Sequence, residues 1–223
     1  MSTYGAVDIV TPCWGIDTAI AGALTDEQLE EMFRTPLGTT GETPKALCGY
    51  VPLPGAVPSK WDMTGPRLRV ACDIGWVVWL VQHCRGGSWV ASEEQGAADG
   101  QHAAEYAAAQ GYPDDAHLGA DDEAVRNPGP DAFRHFTAWC SKPRNPLLYE
   151  GFAPGMTPGQ LYEIPTVKAY WGAYGPWNVT RRGVLARQGR TIMHCGIPVD
   201  PDRIAPDNLG GVLRCMGRLP EAA

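Results

Sequence analysis

The chain has no cluster of basic residues, no apolar run of membrane-spanning length and no closely spaced cysteine pair, and each absence removes a class of function. Net charge is −7, with Lys and Arg scattered along the chain. A phosphate backbone is neutralised by grouped cations, so nucleic acid is not an expected partner. A bilayer-crossing helix needs about 20 apolar residues in succession, and no segment supplies them, so a membrane is not expected either. The first twenty residues lack a basic stretch followed by an apolar one, which is the pattern of an export signal. The expectation is synthesis in the cytoplasm without a signal peptide.

Seven cysteines (Cys13, Cys48, Cys72, Cys84, Cys140, Cys195, Cys215) are odd in number, widely spaced and without a C-x-x-C pair. That spacing argues against a zinc or redox motif and against a disulfide framework, and buried free thiols are expected. His83 and His194 could join Glu123 as metal ligands, but no two of them have local ligand spacing, so no metal and no cofactor are expected. There is also no internal repeat, no low-complexity tract and no Ser/Gly linker. With 223 residues, 44% of them hydrophobic, the chain is read as one domain over 1–223.

What is present is an alternation of short apolar runs with helical patterns, the signature of repeated βα units around a parallel sheet. Strands are expected at Trp14–Asp17, Ala46–Val51, Trp76–His83, Ala116–Asp121, Pro146–Tyr149, Thr166–Tyr170 and Thr191–Cys195, with an eighth hidden in Leu53–Leu68 or Gly151–Gly159. Thr25 and Gln28 form a capping box ahead of Leu29, Met32 and Phe33, which predicts a helix over Thr25–Arg34. Further helices are expected at Gly96–Gln110, Pro130–Cys140 and Asn208–Met216. Seven or eight strands with helices between them make an α/β fold, a single TIM-like (β/α)8 barrel with some irregularity, whose C-terminal face gathers the functional loops.

The strand ends then converge on a polar and aromatic set: Asp17, Tyr50, His83, Asp121 with Glu123, Tyr149 with Glu150, Tyr170 with Trp171, and His194. Within His117-Leu118-Gly119-Ala120-Asp121-Asp122-Glu123 the two-residue period of a strand puts Asp121 and Glu123 on one face and Asp122 on the other. The alternative is an exposed acidic turn, with Asp122 and Glu123 capping a helix. Carboxylates among aromatic rings suit a carbohydrate, because sugar C–H faces pack on rings while acids transfer protons to the glycosidic oxygen. Tyr50, His83, Tyr149, Trp171 and His194 are the expected substrate-binding residues, and Trp171 with Trp177 are candidates for a sugar-stacking wall. Trp14, Trp76, Trp79 and Trp139 are expected in the core, and Asp200 and Asp202 in a turn.

Three motifs carry a resemblance: Gly15-Ile16-Asp17-Thr18, the block Gly119–Ala124, and His194–Asp202 with the sequence HCGIPVDPD. In order and position they resemble landmarks of the glycoside-hydrolase-like domain of unknown function related to the family-25 lysozymes, which are muramidases on a (β/α) barrel. The resemblance runs from about Asp17 to about Asp202. It implies that Asp17 is the first active-site acid, that Glu123 is the proton donor with a raised pKa, and that Asp121 stays ionised to stabilise positive charge or orient an acetamido group. The last motif departs from those lysozymes, having Met193-His194-Cys195 where they usually show an aromatic-rich Gln-Tyr-like end. The expected function is a peptidoglycan-directed hydrolase acting at the bacterial cell wall, with a phage setting attractive. The alternative is a non-catalytic virion protein, of tail or capsid, that uses the barrel for glycan binding or for assembly with other virion proteins.

Overall fold

A computed structural model describes residues 3–57, 59–86, 89–151, 155–174 and 182–220. In chain order the elements are β1 (Tyr4–Ile9), β2 (Cys13–Asp17), α1 (Asp26–Arg34), β3 (Ala46–Val51), α2 (Gly65–Ile74), β4 (Val77–Gln82), α3 (Glu93–Ala109) and β5 (His117–Asp122). They continue as α4 (Pro130–Cys140), β6 (Asn145–Glu150), α5 (Pro158–Glu163), β7 (Ala169–Gly172), β8 (Val184–Gln188), β9 (Ile192–His194), β10 (Ile197–Ile204) and β11 (Leu213–Arg218).

Strands β2 to β8 pair in sequence and in parallel, and β10 runs antiparallel to both β8 and β2, which closes an eight-stranded barrel. The expected TIM-like fold is therefore present, with its final strand reversed. The reversal follows from the connection: β8 leads through the short β9 into β10 without a helix, and a hairpin can only return antiparallel.

Alternation along the strands makes two cores. Inward residues Cys48, Trp79, Val81, Leu147, Trp171, Ala186 and Ile204 fill the barrel, while outward Leu47, Val78, Leu80, Leu118, Ala120 and Leu148 pack beneath the helices. Trp76, Trp79 and Trp139 are buried as expected, whereas Trp14 is only half-buried. All seven cysteines are free. Helix α1 begins with the full capping box of Thr25 and Gln28 and buries Leu29 and Met32. Helix α3 lies against α4 at Gly96 and Gly100, where any Cβ would overlap the backbone of His135 and Trp139; these two glycines are what let the helices approach.

Four sequence expectations are corrected. Asn208–Met216 is not a helix: Asp207 accepts from the backbone N–H of Leu209 and Gly211 to form a turn, and β11 follows it. That strand pairs with β1 and docks at Val78 of β4, so Ile9, Leu213 and Cys215 plug the N-terminal end of the barrel. Thr191–Cys195 is not a barrel strand; it holds β9, which pairs only with β10 across a turn at Cys195 and Gly196, both with positive φ. Leu53–Leu68 contains no strand among its described residues but runs into α2, for which Pro66 in the first turn is a start signal. Finally, Asp200 and Asp202 lie within β10 and not in a turn.

Candidate active site

The C-terminal ends of the parallel strands place a set of acids around the barrel mouth. On β5, Gly119 and Asp121 face the interior, and Asp122 faces the helices with no exposed surface. Oδ1 of Asp122 accepts from the N–H of Gly155 at 2.9 Å, fastening the end of β5 to the segment that leads into α5. Neither Asp122 nor Glu123 caps the next helix, which starts at Pro130 behind Gly129.

Glu123 follows the strand directly. Its carbonyl oxygen accepts from Trp89 Nε1 at 3.0 Å, and Ala124 turns the chain away with φ of +56°. Gly151, just past β6, leaves the space that the Glu123 carboxylate fills, since a Cβ there would overlap it. One oxygen each of Asp121 and Glu123, and Sγ of Cys84, lie within 4.8 Å of one another. Asp121 and Glu123 therefore share a face, as the two-residue period requires.

Asp17 ends β2 and is 7% exposed. Tyr50 of β3 donates its hydroxyl to the Asp17 carboxylate at 2.9 Å, and Gln188 of β8 donates Nε2 at 3.2 Å. Gln188 also accepts from the Tyr149 hydroxyl at 2.8 Å, so it bridges β2 and β6 across the mouth. A cavity of about 290 Å³ opens beside Asp17, lined by Thr18, Ile20, Tyr50, Thr191, Pro198 and Asp200.

Electrostatics follow from this crowding. Burial pushes Asp17 up to about 7, with the charges of Asp200 and Glu123 adding and the bonds from Tyr50 and Gln188 opposing. Burial, then the neighbouring Glu123, Asp122 and Asp17, raises Asp121 well above the usual carboxylate range, against the Cys84 thiol that bonds it. Asp121 is thus held toward its protonated form, where the sequence reading kept it ionised. The Cys84 thiol is itself pushed up to about 12 by burial and by Asp121 and Glu123.

Of the expected substrate-binding residues, Tyr50, His83 and Tyr149 come to the mouth. The His83 ring stacks on Tyr50 at 4.6 Å, and its Nε2 lies 3.1 Å from Oδ1 of the buried Asp62. Trp171 sits deeper: it is 1% exposed, packs edge-on against Trp79 and donates Nε1 to Asp202 at 2.7 Å. It forms the floor beneath the site and not a stacking wall, and Trp177 lies outside the described residues. His194 is not at the site. It is buried on β9, with Nε2 2.9 Å from the carbonyl oxygen of Met32, and fastens the β9–β10 hairpin to α1. Glu150 and Tyr170 face outward beneath the helices, and Tyr170 donates to the carbonyl of Leu161 at 2.8 Å.

Gln188, Asp200, Asp202, Cys84 and Gly151 were missed. The first three lie on β8 and β10, whose sequences VLARQ and IPVDPDRI hide strands behind arginines and two prolines. Cys84 directly follows His83, one residue beyond the predicted strand end, and was passed over as a core thiol.

No family model matches this chain, and no curated protein matches it. An uncharacterized B. stearothermophilus protein superposes with a TM-score of 0.63 at 18% identity, covering 90% of this chain and 99% of that one. The Mycobacterium tuberculosis Tat-secreted protein Rv2525c, in complex with L-tartrate, gives 0.63 at 15% identity over 90% of this chain and 98% of that one. The modular autolysin LytC from Streptococcus pneumoniae, in complex with a synthetic peptidoglycan ligand, gives 0.57 at 10% identity, with 86% of this chain against 46% of that one. At these identities the likeness is one of fold: an α/β barrel shared with two proteins of similar length and with part of an autolysin.

Proposed function

We propose that the barrel mouth cleaves a bacterial cell-wall glycan. The observation that carries this reading is the acid pair on β5, with Asp121 and Glu123 on one inner face and Asp17 near enough for its charge to act on Asp121. Glycoside cleavage needs a group that gives a proton to the leaving oxygen and a negative group that stabilises the oxocarbenium-like charge. Glu123, at the outer end of β5, is the proton donor in this scheme. Asp17, with a midpoint of about 7 and the bonds from Tyr50 and Gln188 favouring its carboxylate, supplies the negative group, and Asp121, one pleat deeper and held toward its protonated form, hydrogen-bonds the sugar. Tyr50, His83 and Tyr149 offer ring and hydroxyl surface to the sugar. The autolysin neighbour, whose structure holds a synthetic peptidoglycan ligand, supports peptidoglycan as the glycan class. A phage-encoded lysis enzyme is the setting proposed from the sequence.

A second reading, glycan binding without turnover in a virion component, draws on Asp17, which is almost fully buried and already hydrogen-bonded twice. The two are separated by incubating the folded protein with purified peptidoglycan and weighing the soluble products. New disaccharide fragments with reducing ends support cleavage; wall that retains bound protein but releases no fragment supports binding alone.

A further inference from the structure

Beside the two acids of the proposed chemistry the mouth holds a sulfur that glycan cleavage does not use. Cys84, two residues past β4, Asp121 on the neighbouring β5 and Glu123 directly after it bring one sulfur and two carboxylate oxygens within 4.8 Å, all three residues half-buried. Oδ1 of Asp121 is shielded from solvent and has no hydrogen-bond partner among the described residues, so this carboxyl, which the Cys84 thiol also bonds, keeps unused acceptor capacity. Neither Asp17 nor Asp121 enters an ion pair among the described residues. A bound cation favours the deprotonated form of all three groups.

We propose that Cys84, Asp121 and Glu123 bind one thiophilic divalent cation of the zinc type, with solvent in the fourth position. Hard cations such as calcium and magnesium want six or more oxygens, and the sulfur excludes them. A tetrahedral zinc has bonds of about 2.3 Å to sulfur and about 2.0–2.2 Å to oxygen, so its ligands stand about 3.5 Å apart. The cluster reaches that spacing by contracting about 1.3 Å at most, through side-chain rotation at the strand ends. On binding, the Cys84 S–H bond breaks and the sulfur–metal bond forms, the carboxyl O–H bonds of Asp121 and Glu123 break as their oxygens bond the metal, and all of these protons leave to solvent. The metal ties down both acids of β5; only this consequence, loss of proton donation while the metal is bound, rests on the glycan reading.

The test is a cobalt(II) titration of the purified full chain, which needs no glycan. A near-ultraviolet thiolate-to-cobalt charge-transfer band saturating at one equivalent, and displaced by zinc, is expected. Cys84→Ser abolishes the band with the melting temperature kept, and Glu123→Gln weakens binding by about tenfold or more. No band in the folded parent, or a band that survives in Cys84→Ser, overturns the site. Should Cys84→Ser not fold, Glu123→Gln decides: unchanged affinity overturns the proposal. Hydrolysis of wall is measured separately, so failure of the glycan reading leaves the cobalt result standing.

Discussion

Gly151 and Glu123 are packed backbone against carboxylate: a Cβ on Gly151 would overlap the Glu123 side chain. The glycine after β6 thereby sets the direction in which the acid after β5 points. Gly151→Ala is expected to move the Glu123 carboxylate and lower hydrolysis by about 100-fold, since sub-ångström placement governs such steps. The added methyl costs about 1–3 kcal/mol of stability through overpacking. Rates on purified peptidoglycan and a thermal melt check both parts, and full activity in a folded variant would contradict the link.

Gln188 ties Asp17 to Tyr149, donating to the first and accepting from the second. Its bond to Asp17 favours the ionised carboxylate, so Gln188→Ala is expected to raise the Asp17 midpoint above about 7. Carboxyl-carbon NMR titration of Asp17 reads this directly. A midpoint that stays put or falls contradicts the bridge.

Stability should respond to pH through the buried Asp122. Its carboxyl is held at about 7 in the fold against an ordinary value of 3.8, burial first and Glu150 adding. Between those values the folded chain binds the extra proton, so this contribution is fully present below about pH 4 and is lost as pH rises through about 7. The slope approaches about 1.4 kcal/mol per pH unit for one such group. Asp17 acts in the same direction, while the half-buried His117, lowered to about 4, acts in the opposite one. Asp122→Asn isolates the effect: denaturant unfolding is expected to show it more stable than the parent at pH 8, with the gain vanishing near pH 4.

His194 supports the hairpin and not the chemistry. Removing it in His194→Ala leaves the Met32 carbonyl without its partner and costs about 2 kcal/mol, with turnover per folded molecule unchanged. A loss of turnover with unchanged stability would return His194 to the site.

Much of the barrel could be read from the chain because its parallel strands carry continuous apolar runs and α1 begins on a recognisable capping box. The two-residue period placed Asp121 and Glu123 on one face and Asp122 on the other, as found. Where the reading failed, the local signal was absent or misleading. Pro198 and Pro201 disguise β10, a strand held by pairing on both sides, so Asp202 was taken for a turn residue. At strand ends the two-residue period separates neighbours, so Glu150 and Tyr170 face outward while Tyr149 and Trp171 face inward. Cys84 carries no local signal that joins it to Asp121 and Glu123, because the β4 and β5 ends meet only in three dimensions.

The most direct test of the catalytic reading compares the parent with Glu123→Gln on purified bacterial peptidoglycan, following new reducing ends together with the amount of protein bound to the wall. Loss of general acid catalysis predicts a fall of about 100-fold or more with wall binding kept. Equal release by both proteins, or none by the well-folded parent, would contradict Glu123 as the acid of a cell-wall hydrolase.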